Sequence, residues 1–218
     1  MPEELPLIKV CGVTNVNDAI ACADAGVQMI GLNFAPESAR HVHRAQAVEI
    51  AGALRSANHD TRIVGVFVGE PFQAVQSLAE ELMLDAIQLH GDEPPQYARA
   101  LSPLFVIKAF RVGGNYAEAA AAAYPSNAIL LDAWNSRFRG GTGETFDWSV
   151  AQSLRSRVQH LILAGGLTPQ NVSAAIKAVR PYAIDVCSGV EDAPGRKSRD
   201  KVRALMDAVR STATVSAS

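Results

Sequence analysis

The chain has 218 residues, a formal net charge of -2 and 48% hydrophobic residues. That length can bury one full core and is usual for a single α/β barrel, while scattered acids and bases leave no basic face for nucleic acid. The 3 cysteines lack a Cys-x-x-Cys pair, which argues against a disulfide framework and a zinc site, and no charged apolar leader or membrane-length apolar run is present, so a cytoplasmic protein without a membrane partner is expected.

Short β-branched runs alternate with alanine-rich amphipathic segments from end to end. Strands are predicted over 7–11, 29–34, 63–68, 86–90, 104–111, 128–133, 160–164 and 182–187. Helices are predicted over 16–25, 45–55, 71–80, 94–100, 116–123, 148–154, 169–179 and 200–209. Asn15 and Asn115 stand before helix starts, and Pro71 and Pro169 are expected in first turns. Strand–helix alternation without a linker places the chain in the α/β class, as a single (β/α)8 TIM barrel: a closed parallel eight-stranded barrel with outer helices, forming one domain over 1–210. A doubly wound open sheet is the alternative. The small, polar segment 211–218 is expected to fray.

Strand side chains alternate, so residues two apart share a face. Lys9 with Cys11, Gln88 with His90, and Asp185 with Cys187 should therefore point inward, and Asp132 ends the sixth strand. The intervening residues, such as Ile8, Val10, Ile87, Leu89, Ile129, Leu131, Ile184 and Val186, suit the layer beneath the helices. Ionisable groups thus gather inside, several toward the strand C-terminal ends where barrel active sites are built. Lys9 and Asp185 could equally form a structural pair across the first and last strands, since buried charges are rarely left alone.

Two late stretches, Leu161-Ile-Leu-Ala-Gly-Gly-Leu167 and Asp185-Val-Cys-Ser-Gly-Val-Glu191, each end a strand at glycines and open toward a helix. Glycine lets the backbone approach an anion, and such turns after the seventh and eighth barrel strands form a phosphate grip. Cys22 reads as a small apolar filler in a helix, whereas the chain turns immediately after Cys11, and a cation two residues earlier favours its thiolate. Asp132 leads into a glycine-containing loop that could close over a ligand or be capped by the aspartate itself.

Several blocks, in order and covering almost the whole chain, resemble the phosphoribosylanthranilate isomerase family. They are Lys9-Val-Cys-Gly-Val-Thr14, Gly31-Leu-Asn-Phe-Ala-Pro-Glu-Ser-Ala-Arg40, Gln88-Leu-His-Gly91, Leu131-Asp132 with Gly140-Gly-Thr-Gly143, Leu163-Ala-Gly-Gly-Leu167 and Asp185-Val-Cys-Ser-Gly-Val-Glu191. The resemblance implies an Amadori rearrangement of N-(5′-phosphoribosyl)anthranilate to a 1-deoxyribulose phosphate. It casts Cys11 as general base and Asp132 as general acid, with Arg40 near the anthranilate carboxylate. Gly143, Gly165, Gly166, Ser188 and Gly189 would contact the phosphate, and Lys9, His90 and Asp185 would support the site, His90 without an acid or base role. A modest downward pKa shift would poise the thiol for work near neutrality, and Asp132 would have to start protonated. The implied partner is a small phosphosugar. No cofactor or metal is implied, and monomer against homodimer stays open.

The chain departs from the family pattern at three places. Ala39 replaces the usual proline before Arg40, Cys187 replaces a serine before Ser188, and Lys197 is followed by Ser198 rather than aspartate, a change expected to matter only to the start of the last helix. Three other readings remain open: the related sugar isomerase of histidine biosynthesis, a non-catalytic barrel that keeps the phosphate grip, and a domain cut from a two-domain enzyme. Against the first, that family generally has aspartate where Cys11 stands.

Overall fold

The computed structural model describes residues 5–57, 59–113, 116–132 and 148–214. Its strands are β1 (Leu7–Cys11), β2 (Met29–Asn33), β3 (Arg62–Phe67), β4 (Ala86–Leu89), β5 (Phe105–Arg111), β6 (Ala128–Asp132), β7 (Leu161–Ala164) and β8 (Ala183–Val186). They hydrogen-bond in chain order, all parallel, and β8 returns to β1 to close a barrel. Between them run α1 (Val16–Asp24), α2 (Arg44–Ser56), α3 (Phe72–Leu82), α4 (Pro95–Ala100), α5 (Glu118–Ala123), α6 (Ser149–Arg155) and α7 (Val172–Val179), with α8 (Arg199–Thr214) last. This is the closed barrel of the sequence reading, not the open sheet. Among the described residues no helix is long and apolar enough to cross a membrane.

A strand covered by helices outside and packed side chains inside must be apolar on both faces. The outer face of the sheet (Ile8, Val10, Ile87, Leu89, Ile129, Leu131, Ile184, Val186) belongs to one core shared with the helices. A second core fills the barrel itself, built from Met29, Val64, Ile107, Leu130, Ile162 and their neighbours. The inward charges lie among the strand ends above that plug, which is how one sheet carries a sealed base and a polar rim.

Local chemistry explains where elements start and stop. Asn15 caps α1 by accepting the Asp18 N–H. Contrary to the expectation, Pro169 does not lie in the first turn of α7; Asn171 Oδ1 accepts the Thr168 N–H at 2.8 Å and holds the preceding residues in a turn, so the helix starts at Val172. Asn115 lies outside the described residues. The C-terminal helix continues through 211–214, part of the segment expected to fray, because its apolar stripe Val202, Leu205, Met206 and Val209 is buried in the outer core; 215–218 lie outside the described residues. Unanticipated is a short hairpin after β8, of β9 (Glu191–Ala193) and β10 (Arg196–Lys197).

A second buried ion pair was not anticipated either. Glu93, in the loop after β4, accepts the N–H groups of Gly69 and Gly91 and pairs with Lys108 Nζ of β5 at 2.9 Å. Burial pushes the Glu93 carboxyl up, but the Gly69 N–H and Lys108 outweigh it and hold it below its usual range. One carboxylate thus ties together the loops leaving β3 and β4 and the body of β5.

Ile107 is fully buried within the barrel plug. Ile107→Ala should destabilise the fold by about 3 kcal/mol, because the closed barrel cannot collapse around the cavity, and urea unfolding at neutral pH would measure it.

Candidate active site

At the C-terminal ends of the strands lies a cavity of about 340 Å³, its wall including Cys11, Arg40, His90, Asp132, Gly165, Gly166, Asp185, Cys187 and Ser188. The barrel therefore brings together most of the residues singled out by sequence. Gly143 and the glycine-containing stretch after Asp132 lie outside the described residues.

Lys9 and Asp185 face each other in register on β1 and β8, with Nζ and Oδ1 2.9 Å apart. Lys9 is fully buried. Burial pushes its pKa down, but Asp185 first and then Cys11 more than offset that and raise it. Structural pairing and a place under the active cavity are thus the same fact.

Cys11 is one step of alternation above Lys9. The downward shift that would poise its thiol for work near neutrality is not what the structure provides: burial is the largest influence and raises its pKa, ahead of the lowering by Lys9 and Lys197. A buried sulfur loses more hydration on ionising than two nearby cations restore, one of them already committed to Asp185. Cys187, on the same wall, is pushed up to about 12, by burial first and then by Cys11.

Arg40 does not reach out to solvent. Its Nε and Nη2 donate to both Glu191 carboxylate oxygens, at 2.9, 3.1 and 2.6 Å. Gly12 makes this possible: it adopts φ +71°, and a Cβ there would fall 2.5 Å from Arg40 Cδ. Glu191 also accepts from Lys197 Nζ at 2.7 Å and from the Gly195 N–H at 3.1 Å. Burial pushes the Glu191 carboxyl up, but Arg40, Lys197 and Gly195 together hold it at about 2.

Lys197 has a place in the site that the sequence reading did not give it. It is buried on the hairpin, and besides Glu191 its Nζ donates to the Cys11 carbonyl and, at 3.5 Å, to the Cys187 carbonyl. Glu191 and Lys197 are the site residues that sequence reasoning missed. The available signal was a Glu and a Lys bracketing a Pro-Gly turn, a tight hairpin that brings opposite charges together.

Gly165 and Gly166 take φ +93° and +64°, giving the tight turn that follows β7, and Asn171 Nδ2 holds it through the Gly166 carbonyl. Ser188 opens a 3-10 turn after β8. Gly189 behind it packs so closely that a Cβ would lie 1.9 Å from the Leu167 carbonyl oxygen. The two turns are thus welded into one surface, with Gly189 as the contact. His90 is held neutral near pH 7, its pKa pushed down to about 4 by burial and by Arg111. Among the described residues, no group of three or more His, Cys, Asp or Glu side chains is arranged to hold a metal ion.

Because the folded-state pKa of Glu191 lies below its ordinary value, its contribution to stability is present above that value and lost as pH falls through the folded one. Glu191→Gln should cost about 3 kcal/mol at pH 7, since Arg40 and Lys197 keep their charges. The gap between wild type and variant should narrow as pH drops from 4.5 toward 2. Urea titrations of both proteins across that range would measure it.

Comparison with known proteins agrees with this geometry. Residues 8–208 match the family model described as N-(5′-phosphoribosyl)anthranilate isomerase. An N-(5′-phosphoribosyl)anthranilate isomerase of Trichlorobacter lovleyi is 43% identical over 196 residues, covering 90% of this chain and 94% of that protein. The crystal structure of phosphoribosyl anthranilate isomerase from Thermotoga maritima superposes with a TM-score of 0.86 at 37% identity, covering 95% of this chain and 100% of the other. Another, of a phosphoribosyl anthranilate isomerase in complex with reduced 1-(o-carboxyphenylamino)-1-deoxyribulose 5-phosphate, gives 0.84 at 36% identity, with 95% and 100% covered. A barrel with this cavity, matched along nearly its whole length, belongs to the N-(5′-phosphoribosyl)anthranilate isomerase family.

Proposed function

We propose that the chain converts N-(5′-phosphoribosyl)anthranilate into 1-(2-carboxyphenylamino)-1-deoxyribulose 5-phosphate, the Amadori step of tryptophan biosynthesis, within one catalytic barrel spanning 1–210. The observation that carries this reading is the shared cavity: Cys11 from β1 and Asp132 from β6 line it together with the turns after β7 and β8. An aldose–ketose isomerisation of this kind needs an acid and a base beside one sugar and an anchor for its phosphate.

Asp132 protonates the furanose ring oxygen, and the ring opens to an iminium ion. Cys11 then removes the C2 proton, and the resulting enolamine tautomerises to the ketone. Only protons move, so the reaction calls for no cofactor. The competent state has the proton on Asp132 and the negative charge on Cys11. Burial opposes that charge in the ligand-free site, while Lys9 and Lys197 favour it. The iminium supplies a further positive charge next to the sulfur at the moment the base is required, and an opposite charge at close range favours the thiolate.

The Gly143, Gly165, Gly166, Ser188 and Gly189 segments receive the phosphate through backbone N–H groups. Arg40 meets the anthranilate carboxylate through Nη1, since Glu191 engages Nε and Nη2. A phosphorylated substrate of this charge does not cross a membrane unaided, so the reading places the enzyme in the cytoplasm.

Loss of anthranilate-conjugate fluorescence, with substrate generated in situ from anthranilate and phosphoribosyl pyrophosphate, tests the reading. Cys11→Ala and Asp132→Asn should each lower kcat by about 10²–10⁴-fold. Because the competent state pairs a protonated Asp132 with a Cys11 thiolate, wild-type kcat/KM should give a bell-shaped pH profile with one rising and one falling limb. A folded wild type without turnover defeats the assignment, as does a pH profile that lacks either limb.

A further inference from the structure

Gly31 is buried in β2 and faces inward, between the plug residue Met29 and the cavity-lining Asn33. It stands opposite Cys11 in the β1–β2 register, and its carbonyl accepts the Gly12 and Val13 N–H groups at 2.9 and 3.2 Å. Unlike Gly12, it does not adopt a positive φ, so its backbone makes no demand for glycine. What the missing side chain leaves is space. A Cβ on Gly31 would fall 2.7 Å from Cys11 Sγ, 3.1 Å from Cys11 Cα and 3.1 Å from Lys9 Nζ. The thiol and the ammonium of β1 thus converge on the one point where β2 carries no side chain. A glycine inside a strand weakens it and often marks the close approach of another group. Here the approaching group is the sulfur of Cys11.

The charges around that sulfur come from every side except β2. Asp185 and Cys187 face it from β8, Lys197 from the hairpin and Arg40 from the loop after β2. After burial, which opposes charge on the sulfur, the largest influence is Lys9, which favours it, followed by Asp185 against and Lys197 for. The contribution of β2 is room. A methyl group on residue 31 would stand where the thiol and Lys9 Nζ meet. Cys11 Sγ ends a side chain that can rotate about χ1, so the methyl would turn the sulfur away and ask only a small shift of the strand.

We propose that Gly31 is a positioning residue: by leaving its Cβ position empty, it sets the direction of the Cys11 thiol and keeps it beside Lys9. The inference rests on the isomerase reading and adds to it the residue that aims the base.

Gly31→Ala in the full chain tests it, through kinetics, calorimetry with reduced 1-(o-carboxyphenylamino)-1-deoxyribulose 5-phosphate, and iodoacetamide labelling of Cys11 followed by mass spectrometry. The kcat should fall by about tenfold to a hundredfold, the cost of a misplacement of about 1 Å. The analogue Kd should stay within about twofold, because the base is misdirected while the binding groups are untouched. The pH of half-maximal Cys11 labelling should rise by about one unit, as the thiol loses its neighbouring cation. Gly31→Ala should also lower the Tm of wild type by more than it lowers that of Cys11→Ala, where the sulfur no longer fills the space. An unchanged kcat or an unchanged labelling midpoint overturns the proposal, as does a loss of analogue affinity that matches the loss of kcat. If Gly31→Ala fails to fold, the double variant Cys11→Ala/Gly31→Ala decides: a folded protein supports a clash with the sulfur, and an unfolded one makes Gly31 a requirement of the strand. A wild type without turnover removes the isomerase reading, and the labelling shift and the two Tm comparisons then still decide whether Gly31 places the thiol.

Discussion

The carboxylate of Glu191 sits between two cations, Arg40 from the loop after β2 and Lys197 from the hairpin after β8, and the rest of the site is arranged around it. Lys197 reaches on to the Cys11 and Cys187 carbonyls, so one acid joins the ends of β1 and β8 to the loop that carries Arg40. A buried arrangement of this kind is weak as a source of stability, because desolvating three charged groups offsets much of their attraction. Its effect is geometric. Arg40 has five donors on a long side chain, and two of its nitrogens are held in one orientation before any ligand arrives. Gly12 completes the device by leaving the space that the guanidinium stem fills.

Lys197 and Lys9 together create the tension at Cys11. They stabilise a thiolate, and the walls that exclude water destabilise it by more. A buried thiol that is uncharged at rest is protected from adventitious chemistry, since the thiolate is the reactive form. In the proposed reaction the compensating charge arrives with the substrate, as the iminium formed by ring opening. Base strength at Cys11 is then tied to progress along the reaction rather than to bulk pH alone.

The frame around these groups is stiff at two levels. Below the cavity, Leu130, Ile162 and their neighbours fill the barrel. Lys9–Asp185 spans the closing strands under the cavity, and Glu93–Lys108 draws together the loops beyond β3 and β4.

Much of this was legible in the chain. Strand and helix order, the closed parallel architecture and the inward set Lys9, Cys11, Gln88, His90, Asp132 and Asp185 follow from local periodicity, because the period of a strand and the cap of a helix are properties of neighbouring residues. The paired glycine turns after β7 and β8 could be read for the same reason. Tertiary structure decided what depends on distance in space. Glu191, Lys197 and Glu93 look like surface charges in a string of letters, and only their burial beside Arg40, Cys11 and Lys108 gives them partners. The sign of the shift at Cys11 was decided there too. A lysine two residues away can be seen in the sequence, but the desolvation that outweighs it is a sum over every wall of a closed cavity, and no local stretch of chain contains that sum.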